Sequence, residues 1–200
     1  MSELLIEFFS EEIPPNLQIS ARNQFQKLLV DKLSEEKFKY DNFEIHSTPT
    51  RLTICISGLP NKIKILPAEI KGSKVGVPEH ILENFVKSKG VDLNKIYEKK
   101  TEKGNFYFVK IKGKEIDSNE VLTKCILKSL DEISWKKSMK WSDYEMSWGR
   151  PLRSILAIFD EKVLKLNYKH LESSNLTLIE ENSSIYQKKI KNFTEYKKIL

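Results

Sequence analysis

The chain opens with an apolar run that ends in an acidic turn and a double proline. Residues 4–9 have the sequence Leu-Leu-Ile-Glu-Phe-Phe, which is typical of a buried strand. Ser10-Glu11-Glu12 ends the run, and Pro14-Pro15 suits a first helical turn, where a missing N–H costs nothing. Apolar residues then recur at helical spacing, at Leu17, Ala21, Phe25, Leu28, Leu29 and Leu33. The sequence therefore predicts a buried strand followed directly by a long amphipathic helix.

Two further strands are predicted after this helix. Phe43 and Ile45 alternate with polar residues, and the alternation resumes beyond Thr48-Pro49-Thr50 at Leu52, Ile54 and Ile56. One helix that covers a small sheet buries its apolar stripe, which is an α+β arrangement. We therefore predict a β-α-β-β unit over residues 1–60, closed by a turn at residues 58–61.

Residues 61–170 are predicted to form a second, basic α+β unit. A helix follows Pro78 and ends near Gly90, and a β-hairpin turns at residues 103–105. Asp117 and Glu120 resemble a capping box that starts a third helix, and two strand-like runs cover residues 154–159 and 163–168. The apolar pattern weakens over residues 171–200, where we expect a frayed tail.

Composition narrows the protein class. The chain has 200 residues, of which 40% are hydrophobic and 31% charged, as in soluble globular proteins. No apolar run approaches the roughly 20 residues that cross a bilayer, and the N-terminus does not resemble a secretory signal. We therefore expect a cytoplasmic protein without a membrane partner. Cys55 and Cys125 have no partner at metal-ligand spacing and are predicted to be buried apolar residues.

The charge is distributed unevenly along the chain. The net charge is +6, with 30 Lys and only 4 Arg, a bias that also fits an AT-rich genome. Residues 61–153 carry 20 basic and 13 acidic side chains, whereas residues 1–60 carry 6 and 9, and residues 154–200 carry 8 and 6. A polyanionic partner would therefore favour the middle of the chain.

The sequence contains no convincing catalytic or metal-binding pattern. The three histidines, His46, His80 and His170, stand far apart, and residues 71–76 contain two glycines but no phosphate-binding motif. Glu11 and Glu12 fit a role at the positive end of the first helix better than a catalytic pair. We therefore predict no catalytic residue, no metal ligand and no cofactor bound by this chain.

One segment combines tryptophans with cations. Residues 135–153 hold all three tryptophans and five basic side chains. Such a mixture can stack on unpaired bases while it contacts phosphates, but tryptophan is also a large core residue. We predict phosphate contacts by Lys136, Lys137, Lys140, Arg150 and Arg153. Trp141 is a candidate for stacking or packing, and Arg51 is a secondary cationic candidate.

Several blocks together resemble one family. Residues 10–15 are similar to its Thr-Glu-Glu-Leu-Pro-Pro turn, residues 48–52 to Thr-Pro-Arg-Arg-Leu, and residues 71–73 to Lys-Gly-Pro. Residues 102–107 resemble the family hairpin, residues 138–141 its Met-Arg-Trp block, and residues 150–153 its Arg-Pro segment. In this order, over residues 3–168, the chain resembles the N-terminal portion of the beta subunit of bacterial heterotetrameric glycyl-tRNA synthetase.

The resemblance implies a function within a complex. In this family the beta subunit recognises tRNA(Gly), and a separate alpha subunit of the α2β2 heterotetramer activates glycine with ATP and Mg²⁺. The N-terminal region of the beta subunit is similar to the body and tail of archaeal CCA-adding enzymes, which fits the two predicted units. The resemblance thus implies a noncatalytic module that contributes tRNA(Gly) binding to ATP-dependent aminoacylation, with the seven residues named above as candidate contacts.

The chain also departs from the family pattern, which leaves alternatives open. The HD-type and anticodon-binding domains of the family are missing from this sequence, and residues 178–182 replace its Gly-His-Arg-Phe block. Thr50 and Lys140 stand where the family has arginines. The chain could be a fragment, a split-gene product or a decayed copy. The alternatives to RNA binding are a scaffold that docks the alpha subunit, a truncated remnant without function, and a free-standing enzyme that uses Glu11 or Glu12.

Overall fold

The structure is a computed structural model that describes residues 2–65, 67–89, 96–101, 104–111, 113–135, 139–141, 144–181 and 184–200. The described helices are α1 (Pro15–Glu35), α2 (Glu79–Lys89), α3 (Ser118–Glu132) and α4 (Phe193–Ile199). The described strands are β1 (Ser2–Ser10), β2 (Asn42–Ser47), β3 (Arg51–Leu59), β4 (Lys62–Ile65), β5 (Ala68–Lys74), β6 (Ile96–Thr101), β7 (Gly104–Ile111), β8 (Lys114–Asp117), β9 (Met139–Trp141), β10 (Tyr144–Trp148), β11 (Leu152–Phe159), β12 (Lys162–Val163), β13 (Asn167–Tyr168), β14 (Leu171–Ser174), β15 (Leu176–Glu181) and β16 (Ser184–Lys189). The predicted α+β class is confirmed.

The chain divides into two compact units whose boundaries differ from the predicted ones. The first unit combines Met1–Ile63 with Asp117–Leu200, and the second is Lys64–Ile116. The chain thus leaves the first unit and returns to it, because β11 pairs with β1. The predicted limit at residue 61 lies close to the boundary at Ile63, whereas the limit at residue 171 marks no unit boundary. Local patterns carry no information about a pairing between strands so far apart in sequence, so the return of the chain at Asp117 was not predicted.

The first unit is built on a seven-stranded sheet with the order β13-β14-β11-β1-β3-β2, in which β12 also pairs with β11. Strand β1 lies between β11 and β3 and is antiparallel to both; Ile6 is opposite Ala157 on one side and Ile54 on the other. A central strand is covered on both faces, which explains its nearly continuous apolar sequence. The predicted β-α-β-β order of the first 60 residues is confirmed.

Helix α1 covers one face of this sheet. It begins at Pro15, as predicted, and buries Ala21, Phe25, Leu29 and Leu33. The ring of Phe25 meets the ring of Phe8 from β1 edge-on, with 5.3 Å between the ring centroids. Helix α3 packs beside α1, where Lys32 Nζ lies 2.6 Å from Glu132 Oε2. The Asp117 side chain caps α3 by accepting a hydrogen bond from the backbone N–H of Asn119 at 2.8 Å, so the predicted start of this helix is confirmed.

The C-terminal residues pack on the opposite face of the sheet. Strands β15 and β16 form an antiparallel hairpin, and α4 follows it. A buried cluster joins this segment to the sheet through Leu5, Cys55, Leu156, Ile158, Ile190, Phe193 and Tyr196. The prediction of a frayed tail over residues 171–200 is therefore wrong for the described residues. Its apolar side chains are divided between a hairpin and a short helix, which hides their periodicity.

The strand predicted over residues 163–168 is two short strands. Within this segment, Lys162 and Val163 pair with β11, whereas Asn167 and Tyr168 pair with β14. The buried side chains of Leu164 and Leu166 lie between these pairings. Alternation of buried and exposed side chains is thus present without one continuous ladder. Both cysteines are buried and free, as their sequence context indicated.

The second unit has its own small sheet, with the order β5-β7-β6, and both pairings are antiparallel. The predicted hairpin is confirmed as β6 and β7, and the predicted second helix as α2. A Cβ atom on Gly72 would lie 2.9 Å from Cε1 of Phe85, so α2 approaches the backbone of β5 closely. Strands β4 and β8 form a separate two-stranded sheet. None of the helices in the described part of the chain is long and apolar enough to span a membrane.

Candidate RNA-facing surface

Arg150 and Arg153 lie near the turn between β1 and α1. The backbone N–H of Glu11 donates to the carbonyl of Pro151 at 3.0 Å, which fixes the two segments side by side. Arg153 Nη2 donates to Glu11 Oε1 at 3.0 Å, and Arg150 Nε donates to the carbonyl oxygen of Glu12 at 3.2 Å. The two predicted arginines are therefore brought together with the acidic turn that opens the sequence.

These groups line a cleft of about 480 Å³, whose lining residues are Ser10, Glu11, Glu12, Thr50, Arg150, Arg153 and Glu180. The lining mixes two guanidinium groups with three carboxylates. The Arg153–Glu11 pair is solvent-exposed, with 45% and 44% of the two side chains accessible. Exposed ion pairs of this kind contribute about 0–1 kcal/mol, so this pair adds little to the stability of the fold.

Two of the three tryptophans, Trp135 and Trp148, have described side chains, and they pack against each other. Trp148 is fully buried, with its ring centroid 5.6 Å from that of Phe8 and 4.9 Å from that of Trp135. A Cβ atom on Gly149 would lie 2.5 Å from the Trp135 ring, so glycine allows this indole to pack against the backbone. Trp148 thus belongs to the core, which is the packing alternative that the sequence left open.

Four predicted contacts cannot be placed by their side chains. Lys136 and Lys137 lie outside the described residues. Lys140 and Trp141 belong to β9, which pairs with β10 through Tyr144 opposite Trp141 and Ser147 opposite Lys140. Their proposed contact with RNA stays a prediction. The same holds for Arg150 and Arg153, whose surroundings are known but whose ligand is not.

Arg51 has a different position from the other candidates. Its Nε donates to Glu7 Oε2 at 3.1 Å, and its side chain is only 11% exposed. Nη2 donates to the carbonyl oxygen of Leu178, and the guanidinium carbon lies 4.7 Å from the ring centroid of Phe9. Arg51 therefore connects β3 to β1 and to the C-terminal hairpin, and its donors point into the protein.

Glu7 is the centre of a buried polar network that sequence reasoning missed. Its carboxylate accepts hydrogen bonds from Thr177 Oγ1, at 2.8 Å and 2.9 Å to the two oxygens, and from the Tyr196 hydroxyl. Thr53 Oγ1 lies 2.9 Å from the same hydroxyl. One visible signal was a glutamate within an apolar strand, because a buried charge requires partners. The partners come from three distant segments, which the sequence does not connect.

Burial dominates the ionisation of this network. Desolvation raises the pKa of Glu7 above its ordinary value of 4.5, although the hydrogen bonds from Tyr196 and Thr177 and the charge of Arg51 act in the opposite direction. Burial and the neighbouring Glu7 carboxylate also raise the pKa of the Tyr196 hydroxyl. Tyr196 therefore remains a hydrogen-bond donor to Glu7 at neutral pH.

This raised pKa predicts a specific pH dependence. Between pH 4.5 and the raised value, folded Glu7 holds a proton that the unfolded chain has released, so its contribution to stability falls as the pH rises. The free energy of unfolding of the wild type minus that of Glu7→Gln should fall by up to about 1.4 kcal/mol per pH unit in this window. Urea unfolding of both proteins at closely spaced pH values measures it. A difference that rises with pH would contradict the assignment.

The described residues contain no group of three or more His, Cys, Asp or Glu side chains that could hold a metal ion. Glu11, one of the two glutamates considered as catalytic, is paired with Arg153. Glu11 therefore lies in an exposed ion pair, in a cleft that combines two guanidinium groups with three carboxylates.

Comparison with known proteins covers nearly the whole chain. The family described as glycyl-tRNA synthetase beta subunit matches residues 4–200. A protein named glycine–tRNA ligase beta subunit from Rhodospirillum centenum is 36% identical over 165 residues, which is 82% of this chain and 23% of that protein. Proteins of the same name are 36% identical over 88% of this chain in Rickettsia prowazekii and 34% identical over 98% in Rickettsia bellii; these matches cover 26% and 30% of the relatives.

These relatives are components of a ligase by name, and this chain spans 23–30% of their length. The match includes the strand, acidic turn and double proline at its start, the block around Arg51 and the segment that carries Arg150 and Arg153. The resemblance first indicated by short collinear motifs is therefore confirmed by the comparison of whole sequences. The chain belongs to the family of the glycyl-tRNA synthetase beta subunit.

Proposed function

We propose that this chain contributes tRNA(Gly) binding to a glycine–tRNA ligase. In this proposal, bond formation takes place on a separate alpha subunit, which uses ATP and Mg²⁺ to activate glycine. The chain itself binds no cofactor and acts by holding the tRNA. The observation that carries the proposal is the family match over residues 4–200, since the relatives are named as beta subunits of that ligase.

The position of two arginines supports an RNA contact in the first unit. Arg150 and Arg153 line an open cleft, and Arg153 forms an ion pair with the solvent-exposed carboxylate of Glu11 at 3.0 Å. Arginine presents a planar fork that matches phosphate oxygens, so an RNA backbone can compete for both side chains. Lys136, Lys137, Lys140 and Trp141 are nearby in sequence and complete the proposed contact. Arg51 is not part of the proposed contact, because its guanidinium is paired with Glu7 inside the protein.

The proposal predicts how two substitutions change tRNA binding. Arg150→Gln with Arg153→Gln should weaken binding of tRNA(Gly) by roughly ten- to thirtyfold, at about 1 kcal/mol per phosphate contact. The slope of log K against log salt should become shallower by about 1.8, since each lost phosphate contact removes about 0.9. Fluorescence anisotropy with labelled tRNA(Gly), titrated from low to high salt, measures both quantities.

A matched control removes the same charge elsewhere in the first unit. Arg22→Gln with Lys27→Gln changes two basic side chains of α1 and should leave tRNA affinity within about twofold. Equal affinity of the wild type and the Arg150/Arg153 variant for tRNA(Gly) would contradict the proposed contact.

The titrations should be repeated with purified alpha subunit, which tests the alternative function. If the chain captures the alpha subunit but no tRNA in either condition, docking without RNA contact is its function instead.

A further inference from the structure

One face of the small sheet in the second unit combines aromatic rings with lysines. Residues directly opposite in an antiparallel pair share a face, and Phe108 is opposite both Lys71 on β5 and Tyr97 on β6. Phe106 is likewise opposite Lys74 and Lys99. Lys110 follows Phe106 and Phe108 at strand spacing. We call this surface the lysine–aromatic face; its members are Lys71, Lys74, Tyr97, Lys99, Phe106, Phe108 and Lys110.

The lysines of this face lie over its rings. Lys71 Nζ is 3.4 Å from the ring centroid of Phe106, and Lys99 Nζ is 5.3 Å from that of Phe108. Lys110 Nζ is 5.3 Å from the ring centroid of Tyr97, which in turn stacks on Phe108 with 6.2 Å between centroids. Cations and flat rings therefore alternate across all three strands.

The two faces of this sheet have different environments. Val109 points to the opposite face and is fully buried, and Phe85 of α2 packs against Gly72 there. On the lysine–aromatic face, all four lysines are exposed, Tyr97 and Phe106 are half-buried, and Phe108 is buried, with 7% of its surface accessible. Phe108 is therefore held by packing, whereas Tyr97 and Phe106 keep accessible ring surface that a ligand can contact.

The charge of this face selects the kind of ligand. Glu69 lies beside these members, opposite Lys110; Lys99 Nζ is 2.7 Å from Glu69 Oε2, and the Tyr97 hydroxyl also donates to Glu69. The hydrogen bond from Lys99 holds the pKa of Glu69 below its usual value, so this carboxylate is ionised at neutral pH. Four lysines and one glutamate leave a net charge of +3. Lys71 and Lys74 form no ion pair with the described residues.

We propose that the lysine–aromatic face binds unpaired nucleotides of RNA. Bases stack on the rings of Phe106 and Tyr97, and Lys71, Lys74 and Lys110 contact the phosphates. Sequence-tolerant stacking on a sheet surface bordered by lysines is a general way to bind single strands. Lys71 exchanges its weak contact with the Phe106 ring for a phosphate, which exposes that ring to a base. This inference rests on the proposed RNA-binding function and adds a second surface, independent of Arg150 and Arg153.

A structural role for the same residues makes a different prediction. Lysine stems can cover aromatic rings simply to shield them from water. Removing the charge would then leave RNA binding unchanged. An acidic protein could pair with the charges of the lysines equally well, but it has no bases to stack on the aromatic rings. The choice between these readings therefore depends on separate tests of charge and of stacking.

The charge test uses the whole chain and a fluorescein-labelled, twelve-nucleotide single-stranded RNA. Lys71→Gln with Lys74→Gln should weaken binding at least about fivefold and reduce the salt slope by about 1.4, at 0.7 per phosphate of a single strand. The matched control is Lys27→Gln with Lys100→Gln, two exposed lysines outside this face, and should change affinity less than twofold. Unchanged binding by the Lys71/Lys74 variant would overturn the proposal.

The stacking test replaces Phe106 by leucine, which keeps an apolar side chain and removes the flat ring. Binding of the single strand should fall about five- to a hundredfold, while binding of a duplex of the same length changes little. Tyr186→Leu is the control, because this tyrosine is 44% exposed on the hairpin of the first unit. Equal loss of single-strand and duplex binding, or no loss, would reject base stacking.

Cross-linking provides a measurement that needs no variant. RNA that contains 4-thiouridine should cross-link the wild-type chain within residues 96–111, and cross-links confined to other segments would overturn the proposal. Binding of poly-glutamate as tight as that of RNA would also reject it.

The proposals for the two RNA surfaces can be rejected separately. If Arg150→Gln/Arg153→Gln loses tRNA binding but the Lys71/Lys74 variant keeps binding of the single strand, only the present inference is rejected. If the wild type binds neither RNA, both fall.

Discussion

Arg51→Met should lower the free energy of unfolding of the first unit by about 3–5 kcal/mol, because it leaves the buried carboxylate of Glu7 without its cation. Glu7 is completely inaccessible to solvent, and Arg51 Nε is 3.1 Å from it. Methionine retains the packing against Phe9 but loses the donors to Glu7 and Leu178. Urea unfolding at pH 7, followed by tryptophan fluorescence, reports on this unit because all three tryptophans belong to it.

Two controls distinguish the effect of losing the buried Glu7–Arg51 pair from the effect of losing any arginine side chain. Arg153→Met removes the exposed partner of Glu11 and should cost only about 0–1 kcal/mol. Glu7→Gln combined with Arg51→Met should recover part of the loss, because a neutral amide needs no cation and still accepts a hydrogen bond from Tyr196 or Thr177. If Arg51→Met were no more destabilising than Arg153→Met, the pair would not contribute to stability.

Trp148→Ala should destabilise the first unit by about 3–5 kcal/mol, the range measured for removal of a large buried aromatic side chain. The indole is fully buried between Phe8 and Trp135, at ring distances of 5.6 Å and 4.9 Å. Alanine would leave a cavity between β1 and the segment before β11. Urea unfolding measured by circular dichroism is suitable, since the substitution removes one of the three fluorophores.

Trp148→Phe is the matched variant for this site. The indole Nε1 is buried and makes no hydrogen bond with the described residues, so phenylalanine loses volume but no polar contact. Its cost should therefore lie well below that of alanine, at about 1–2 kcal/mol. A small effect of Trp148→Ala on stability, together with a large loss of RNA affinity, would mean that this tryptophan serves binding rather than packing.

Most local elements of this chain are predictable because their signals are local. The first strand, the proline-initiated helix and the two strands after it follow from apolar spacing over residues 4–56, and the cap at Asp117 follows from one side chain. The hairpin of β6 and β7 and helix α2 are likewise confirmed. The C-terminal segment was predicted poorly because its buried residues, such as Ile190 and Tyr196, lie in elements too short to display a period.

The candidate site was predictable only in part. Arg150 and Arg153 were candidates from the sequence, but their position beside the acidic turn depends on the pairing of β1 with β11. Composition alone grouped Trp148 with the cationic residues, whereas its burial against Phe8 assigns it to the core. The lysine–aromatic face was hidden because its members come from three strands that are separate in sequence.

The amino-acid sequence by itself determined the α+β class, the starts of the main helices and the family, because each depends on patterns within short stretches or on their order. Tertiary structure decided which charges are used inside the protein and which meet solvent. Glu7 and Arg51 look like any glutamate and arginine until β1, β3 and the C-terminal hairpin enclose them. The physical reason is that desolvation and pairing depend on neighbours in space, and those neighbours are brought together by strands more than a hundred residues apart.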